Sequence, residues 1–336
     1  MLGPAVGVAL GATLVLAACG ESDGMPGGAG SDGGTSDGGA SGGTSSGGEG
    51  SSGAGTGGAT STSILPTDTQ ADYQLGGSYD PPAGVGIVAR DSSEYSAEGL
   101  YSICYVNGFQ SQPQDADFWL EEHPDLLLRY PSGADGASGA DGSDGASSDG
   151  SDGADGAQAD ETKAGEPVID ANWPDEMIFD TSTEAKRAGI ADVIGETIAQ
   201  CAERGFDAVE FDNLDSWSRT SGALTLDDSI ALAALLVGRS SELGLASGQK
   251  NSAELGTRGR DEAGFVFAVS EECAAFDECS AYTDVYGDNV IDIEYTDEVD
   301  VDFDELCADP ERIPLTILRD RNLVTPNDPD YVYEAC

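Results

Sequence analysis

More than half of the chain's 47 glycines, 27 in all, fall in two tracts that cannot build a core. Residues 20–63 hold 18 of them among Ser, Thr, Ala and Asp, and residues 132–166 hold nine in a Ser-Gly-Ala-Asp pattern. Such segments lack the apolar surface that offsets chain entropy, so both are expected to be disordered. Outside the tracts and the first 19 residues, about 238 of the 336 residues remain. That length suits one large domain, and an α/β barrel falls in this range.

From residue 66 onward, short apolar runs alternate with helical patterns. Eight runs read as strands: Gly84–Asp91, Gly99–Gly108, Met177–Thr181, Phe206–Asn213, Gly244–Ser252, Phe265–Glu272, Asn289–Tyr295 and Ile313–Asp320. Helical spacing marks Thr183–Arg204, through Ile190, Val193, Ile194 and Ile198, and Leu226–Leu243, with Thr225 and Asp228 placed as a capping box. Residues 302–308 and 328–335 are expected to supply short last helices. Eight strands alternating with helices, with few hairpin turns, predict a (β/α)₈ TIM barrel. The 132–166 tract then becomes an insertion between strands two and three, which costs little closure entropy. A doubly wound open sheet is the runner-up, but no Gly-rich phosphate fingerprint supports it.

The acidity belongs to the folding part. Of 63 acids and 14 bases, 49 and 13 lie outside the tracts, a net of −36. Such a surface excludes nucleic acid as a partner and disfavours anionic lipid headgroups. A cationic partner is permitted, because a negative cleft concentrates it.

Residues 5–16 form an apolar stretch too short to span a bilayer. It ends in Leu16-Ala17-Ala18-Cys19-Gly20, which looks like a bacterial lipobox with Cys19 as the lipidated residue, although no Lys or Arg precedes the run. The expected organisation is a lipoprotein signal over 1–19, a tether over 20–65 and a barrel over 66–336. The chain is then exported and membrane-anchored through its lipid alone, in the periplasm or at the cell surface. Six further cysteines suit disulfides in that compartment. Cys273 should bridge Cys279, and Cys307 should bridge Cys336, while Cys104 and Cys201 are either bridged or simply buried. With one His and no Cys-x-x-Cys pair, no metal site and no cofactor is expected.

Barrel chemistry sits at the C-terminal ends of the strands. Those ends carry Asp91, then Tyr105 and Asn107, Asp180, then Glu210, Asp212, Asn213 and Asp215, Lys250 and Asn251, Glu271 and Glu272, Glu294 and Tyr295, and finally Arg319 and Asp320. Asp and Asn also serve as turn residues there. A ring of carboxylates with Tyr and Asn among them nevertheless suits sugar hydrolysis, which needs one carboxylate beneath the ring and another to protonate the leaving oxygen.

The segment Gly205–Asp215, GFDAVEFDNLD, resembles the GFDGVEPDNVD segment of glycoside hydrolase family 114, the endo-α-1,4-polygalactosaminidase-like TIM barrels. Further matches follow in order: Ile103-Cys104-Tyr105, Trp173-Pro174, Lys250-Asn251, EECAAFDEC at 271–279, and Glu294-Tyr295. The resemblance implies Asp212 as nucleophile or base and Glu271 as general acid. It also implies a substrate cleft drawn from Asp91, Tyr105, Asn107, Asp180, Glu210, Asn213, Asp215, Lys250, Glu294 and Tyr295. Departures lie at Ser270, Ser252, Gly108-Phe109-Gln110 and Asp180-Thr181-Ser182, where the family has Asn, Asp, Ser-Trp-Glu and Asp-x-Arg.

The expected activity is retaining endo-hydrolysis of an α-linked amino-sugar polymer by a monomer. The alternatives are a non-catalytic lipoprotein that binds glycan on a degenerate barrel and a hydrolase of another α-glycan. Alternation along the strand favours Glu271 over Glu272 as the inward residue. The apolar run before Glu271 is expected to raise its pKa and keep it protonated.

Overall fold

The computed structural model describes residues 64–131, 163–297 and 302–336. Cys19, the tether and most of the insertion lie outside them. Among the described residues no helix is long and apolar enough to cross a membrane.

Eight parallel strands follow one another around the sheet: β1 (Gln70–Gln74), β2 (Val85–Asp91), β3 (Tyr101–Asn107), β4 (Ala208–Asp212), β5 (Ala246–Lys250), β6 (Phe267–Glu271), β7 (Val290–Tyr295) and β8 (Leu315–Arg319). A short β9 (Tyr333–Ala335) pairs antiparallel with β8. The circle nearly closes, because β1 lies alongside β8 and the fully buried Arg319 spans the seam. Its Nη1 donates to Asp72 Oδ1 at 3.2 Å, and its Nε donates to the Val332 carbonyl at 2.9 Å. The architecture is an α/β TIM barrel.

Helices fill some crossovers and not others. The β3–β4 crossover carries α1 (Ala116–Glu122) and α2 (Glu184–Glu203), and α3 (Leu226–Glu242) follows β4. Two shorter helices, α4 (Cys279–Tyr286) and α5 (Phe303–Ala308), follow β6 and β7. The expected capping box starts α3: Asp228 N donates to Thr225 Oγ1 at 3.2 Å, and Thr225 N donates to Asp228 Oδ2 at 3.0 Å. Ile190, Ile194 and Ile198 of α2 and Leu232 and Leu236 of α3 bury against the outward residues Val106, Val209 and Phe211. The opposite face of the strands fills the barrel with Ala71, Ile87, Ala89, Ile103, Ala208, Phe267, Val269, Ile291, Ile293, Leu315 and Ile317. At Gly248 the Phe267 ring takes the space that a side chain would need.

Three expectations change. Met177–Thr181 is not a barrel strand; its place in the count belongs to β1. Met177, Ile178 and Phe179 are all buried and make only isolated antiparallel bridges, to Ile169, Gln110 and Leu127. The run is apolar because Phe179 packs on Trp119, ring centroids 4.1 Å apart, under the crossover. The insertion therefore lies between β3 and β4. Its last residues, 163–166, are held by the bond from Tyr130 N to the Glu166 carbonyl at 3.0 Å and by Arg129 on the Gly165 carbonyl at 2.8 Å. Finally, residues 328–335 end in β9 and not in a helix, with Tyr333 hydroxyl donating to the Ala71 carbonyl at 2.9 Å.

All six described cysteines are paired: Cys104–Cys201, Cys273–Cys279 and Cys307–Cys336. The first ties β3 to α2, the second closes the loop after β6, and the third pins β9 to α5.

Candidate active site

Strand alternation decides which side chains reach the barrel mouth. Register pairs Tyr105 with Glu210 and Asn107 with Asp212, so these four share the inward face of β3 and β4. Lys250 follows Gly248 inward on β5, Glu271 follows Val269 on β6, and Tyr295 follows Ile293 on β7. From β1, Tyr73 enters the same layer.

Lys250 organises the layer. Its side chain is 3 % exposed, and its Nζ stands 3.6 Å from Glu210 Oε1, 3.6 Å from Asp212 Oδ2 and 3.3 Å from Glu271 Oε2. Each carboxylate also accepts from a tyrosine: Glu210 from Tyr73 at 2.7 Å, Asp212 from Tyr105 at 2.7 Å, and Glu271 from Tyr295. Asn213 N donates to Asp212 Oδ1 at 2.7 Å. Asn251 grips Glu271 twice, donating from Nδ2 to Oε2 at 2.9 Å and accepting from the Glu271 N–H at 2.8 Å.

The surroundings set the ionisation. Burial pushes the Glu210 carboxyl up, and although Lys250 and Tyr73 oppose this, it ends at about 7. Burial pushes Glu271 up as well, but Lys250, Tyr295 and Asn251 outweigh it and leave its pKa below the usual value. The expectation of a protonated Glu271 is thereby corrected for the unliganded site. The apolar run does desolvate it, but three donors from β5 and β7 reverse the sign. Lys250 is held firmly as the cation: burial opposes its charge, and Asp212, Glu271 and Glu210 more than restore it.

The loops that leave these strands turn sharply. Asn213, Asn251, Ser252 and Glu272 all have left-handed backbones, with φ of 65°, 47°, 63° and 61°. Each lies within two residues of Asp212, Lys250 or Glu271, at the position where the chain must leave the barrel while the preceding side chain stays inside. Above the layer lies a cleft of about 160 Å³ lined by Tyr105, Asp212, Lys250, Glu271, Tyr295 and the exposed Trp173, together with Leu75, Glu176, Asn213, Arg321 and Leu323. An inward carboxylate pair, an aromatic wall and an open mouth are the parts that glycoside hydrolysis uses.

The sequence profile of glycoside-hydrolase family GH114 matches residues 54–336. This chain belongs to that family. The GH114 barrel is also similar to the crystal structure of Aspergillus fumigatus Ega3 in complex with galactosamine, at 18% identity and a TM-score of 0.57, over 83% of this chain and 100% of that one. The glycoside hydrolase domain of PelA from Pseudomonas aeruginosa matches over 80% and 98% at 11% identity, with a TM-score of 0.43. A comparison with curated protein sequences finds no match. The protein is a glycoside hydrolase.

Not every residue expected in the GH114 cleft reaches it. Asp212, Glu210, Lys250, Glu271, Tyr105, Tyr295 and Asn213 come together, and Asn107 stands beside them, its Nδ2 donating to Glu176 Oε2 at 2.9 Å. Asp91 is inward but accepts from Ser93 N at 2.9 Å in its own turn. Asp180 lies in the turn that precedes α2, where burial raises its carboxyl and bonds from Lys186 and Ser182 lower it below the usual value. Asp215 pairs with Arg219 and lines a neighbouring pocket with Glu254, Glu271 and Glu278. Glu294 is turned outward by the alternation that turns Tyr295 inward, and its Oε1 accepts from Ala274 N at 2.8 Å. Burial pushes both Asp292 and Glu294 up; Glu294 adds to the rise of Asp292, and Glu272 adds to that of Glu294.

Four polar or charged residues of the site were absent from the expected substrate set: Tyr73 and Asn251 in the layer, and Glu176 and Arg321 in the cleft wall. Asn251 adjoins Lys250 and was legible from the Lys-Asn match. The other three come from β1, the crossover and the loop after β8, which carried no strand-end signal.

Proposed function

We propose that this GH114 enzyme is an endo-acting, retaining glycosidase that cleaves an α-linked amino-sugar polymer such as α-1,4-polygalactosamine. Asp212 acts as the nucleophile and Glu271 as the acid and then the base. The observation that carries the assignment is that both carboxylates face one mouth and contact one ammonium, Lys250 Nζ, at 3.6 and 3.3 Å. A tetrahedral angle at that nitrogen would set the two oxygens about 5.6 Å apart, near the separation of about 5–5.5 Å for retaining enzymes.

The residues divide the work. Tyr105 and Asn213 N donate to Asp212 and aim it upward. Lys250 balances the carboxylates from the floor of the cleft, where its side chain is almost wholly covered. Glu271 must gain a proton before it can protonate the leaving oxygen. A sugar ring seated on it removes its remaining water and favours the neutral form. The developing positive charge at the anomeric carbon is then stabilised by the Asp212 anion before the covalent bond forms. The exposed Trp173 offers a face for the sugar.

The test uses defined α-1,4-galactosamine oligomers and end-group analysis of the products. Asp212→Asn and Glu271→Gln should fold normally and lose about 100- to 10,000-fold in kcat. Turnover at the wild-type rate by both variants would remove the assignment.

We further propose that the chain is exported and held to a membrane through lipid on Cys19. The pairing of all six described cysteines supports an oxidising compartment. Mass spectrometry of the N-terminal peptide should find Cys19 acylated, and Cys19→Ser should release the protein in soluble form. An unmodified Cys19 in the membrane fraction would count against the anchor.

A further inference from the structure

We infer that Glu176 receives the ammonium group of the amino sugar seated on Asp212, and so selects sugars with a free amine over N-acylated ones. The inference rests on the glycosidase reading above and adds a residue that recognises the substituent beside the reacting carbon.

Three carboxylates line the cleft: Asp212, Glu271 and Glu176. Asp212 and Glu271 both have Lys250 as a cationic partner. Glu176 has no ion-pair partner within 4.0 Å among the described residues. Its hydrogen-bond donor is the neutral Asn107 amide, 2.9 Å from Oε2. The other nearby cations are engaged elsewhere. Arg219 is committed to Asp170 and Asp215. Arg321, across the cleft and 4.4 Å above the Tyr295 ring, is committed to Glu272 and Asp297. A half-buried carboxylate without a counter-ion is costly, and the cost is met by a proton or by a ligand cation.

Position supplies the second argument. Asn107 is the register partner of Asp212 across β3 and β4, so the group that it holds stands on the Asp212 side of the cleft. A nucleophile lies beneath the anomeric carbon, and the amino group sits on the adjoining carbon, one bond further. Glu210 cannot serve, because it is fully buried beside Lys250. Glu271 is engaged with the leaving oxygen. Trp173, three residues before Glu176, lines the same wall, so one crossover segment supplies both an aromatic face and the carboxylate.

The ionisation of Glu176 agrees. Burial pushes its carboxyl up, Asn107 opposes this, Asp212 and Asp170 add to the rise and Arg219 subtracts, leaving it at about 7. The bound ammonium would draw off that proton and complete the pair.

The test compares α-1,4-galactosamine oligomers with their fully N-acetylated counterparts, using the full chain. Glu176→Gln keeps an acceptor for Asn107 and removes the charge. It should raise KM for the free-amine oligomer about 10- to 100-fold, leave kcat nearly unchanged, and move KM for the N-acetylated oligomer by no more than about two-fold. Glu176→Asp keeps the charge and should retain the preference in part. Equal losses on both oligomers would make Glu176 structural and overturn the inference while leaving the glycosidase reading in place. Binding of both oligomers to Asp212→Asn, with and without Glu176→Gln, gives the same ratio if turnover is too slow to read. A wild-type protein that neither binds nor cleaves either oligomer would overturn the amino-sugar reading and the role of Glu176 with it.

Discussion

Replacing Lys250 with Met should produce a destabilisation that depends on pH, and its size follows from the contacts. Three carboxylates stand 3.3 to 3.6 Å from Nζ. Each such contact gains about 5 kcal/mol at an effective dielectric constant of about 20, and desolvation of the ions takes most of this back. Removing one member of a buried ionic cluster costs about 3–5 kcal/mol, because the remaining charges are left uncompensated. In the wild type, Glu271 is held below its ordinary pKa, so its contribution is present above the unfolded value and lost as the pH falls through the folded one. Without Lys250 the same carboxyl rises above its unfolded value. The folded variant then binds more protons than the unfolded chain and loses stability as the pH rises. Each unit by which the carboxyl rises returns about 1.4 kcal/mol once the pH falls below it, so most of the loss seen at pH 8 is recovered by pH 5. Scanning calorimetry should therefore find a loss in Tm of about 6–20 °C at pH 8, at about 2–4 °C per kcal/mol for a domain of this size, and about half of that or less at pH 5. A loss that is the same at both pH values, or below about 2 °C at pH 8, would refute the reasoning.

Tyr295→Phe removes a donor that favours ionised Glu271, so the alkaline limb of kcat/KM should move to higher pH; a limb that stays or moves down would contradict the role of Glu271 as the acid. Replacing Cys104 and Cys201 with Ser opens a crosslink of sequence separation 97, with an expected cost of about 4–5 kcal/mol by urea unfolding, against about 2–3 for the Cys273–Cys279 pair of separation 6. Gly248→Ala would drive a methyl into the Phe267 ring inside the barrel and should cost about 1–3 kcal/mol, read as a lower urea midpoint with m unchanged.

The sequence announces the parts of this site that are local. β4 and β6 are apolar runs ending in carboxylates, and a strand that ends in charge at a barrel mouth can be read without neighbours. β1 could not be read in this way. In Gln70–Gln74 the outward Asp72 and Gln74 look like loop residues, yet both are buried. Arg319, 247 positions away, and Arg90, 16 away, satisfy them. With β1 missing, Tyr73 was missing too, and Met177–Thr181 took its place because burial under a crossover produces the same apolar signature as a strand. The ionisation of Glu271 failed for a related reason: desolvation is visible in the residues before it, whereas Lys250 and Tyr295 arrive from neighbouring strands. Glu294 was a different case. Strict alternation with Tyr295 already required that only one of the two face the cleft.

The left-handed residues at the mouth bear on how this enzyme can change over generations. Asn213, Asn251, Ser252 and Glu272 hold a backbone that a side-chain-bearing residue adopts at a cost of about 1–2 kcal/mol each. Glycine would relieve all four, but at Asn251 it would also delete the grip on Glu271. At Ser252, whose hydroxyl has no hydrogen-bond partner among the described residues, it would delete nothing of that kind. The rim therefore holds a reserve of stability that can be released at one position without disarming the acid. A lineage or a laboratory selection that drew on Ser252 first would gain tolerance for the riskier substitutions in the cleft walls, where a new glycan must be accommodated.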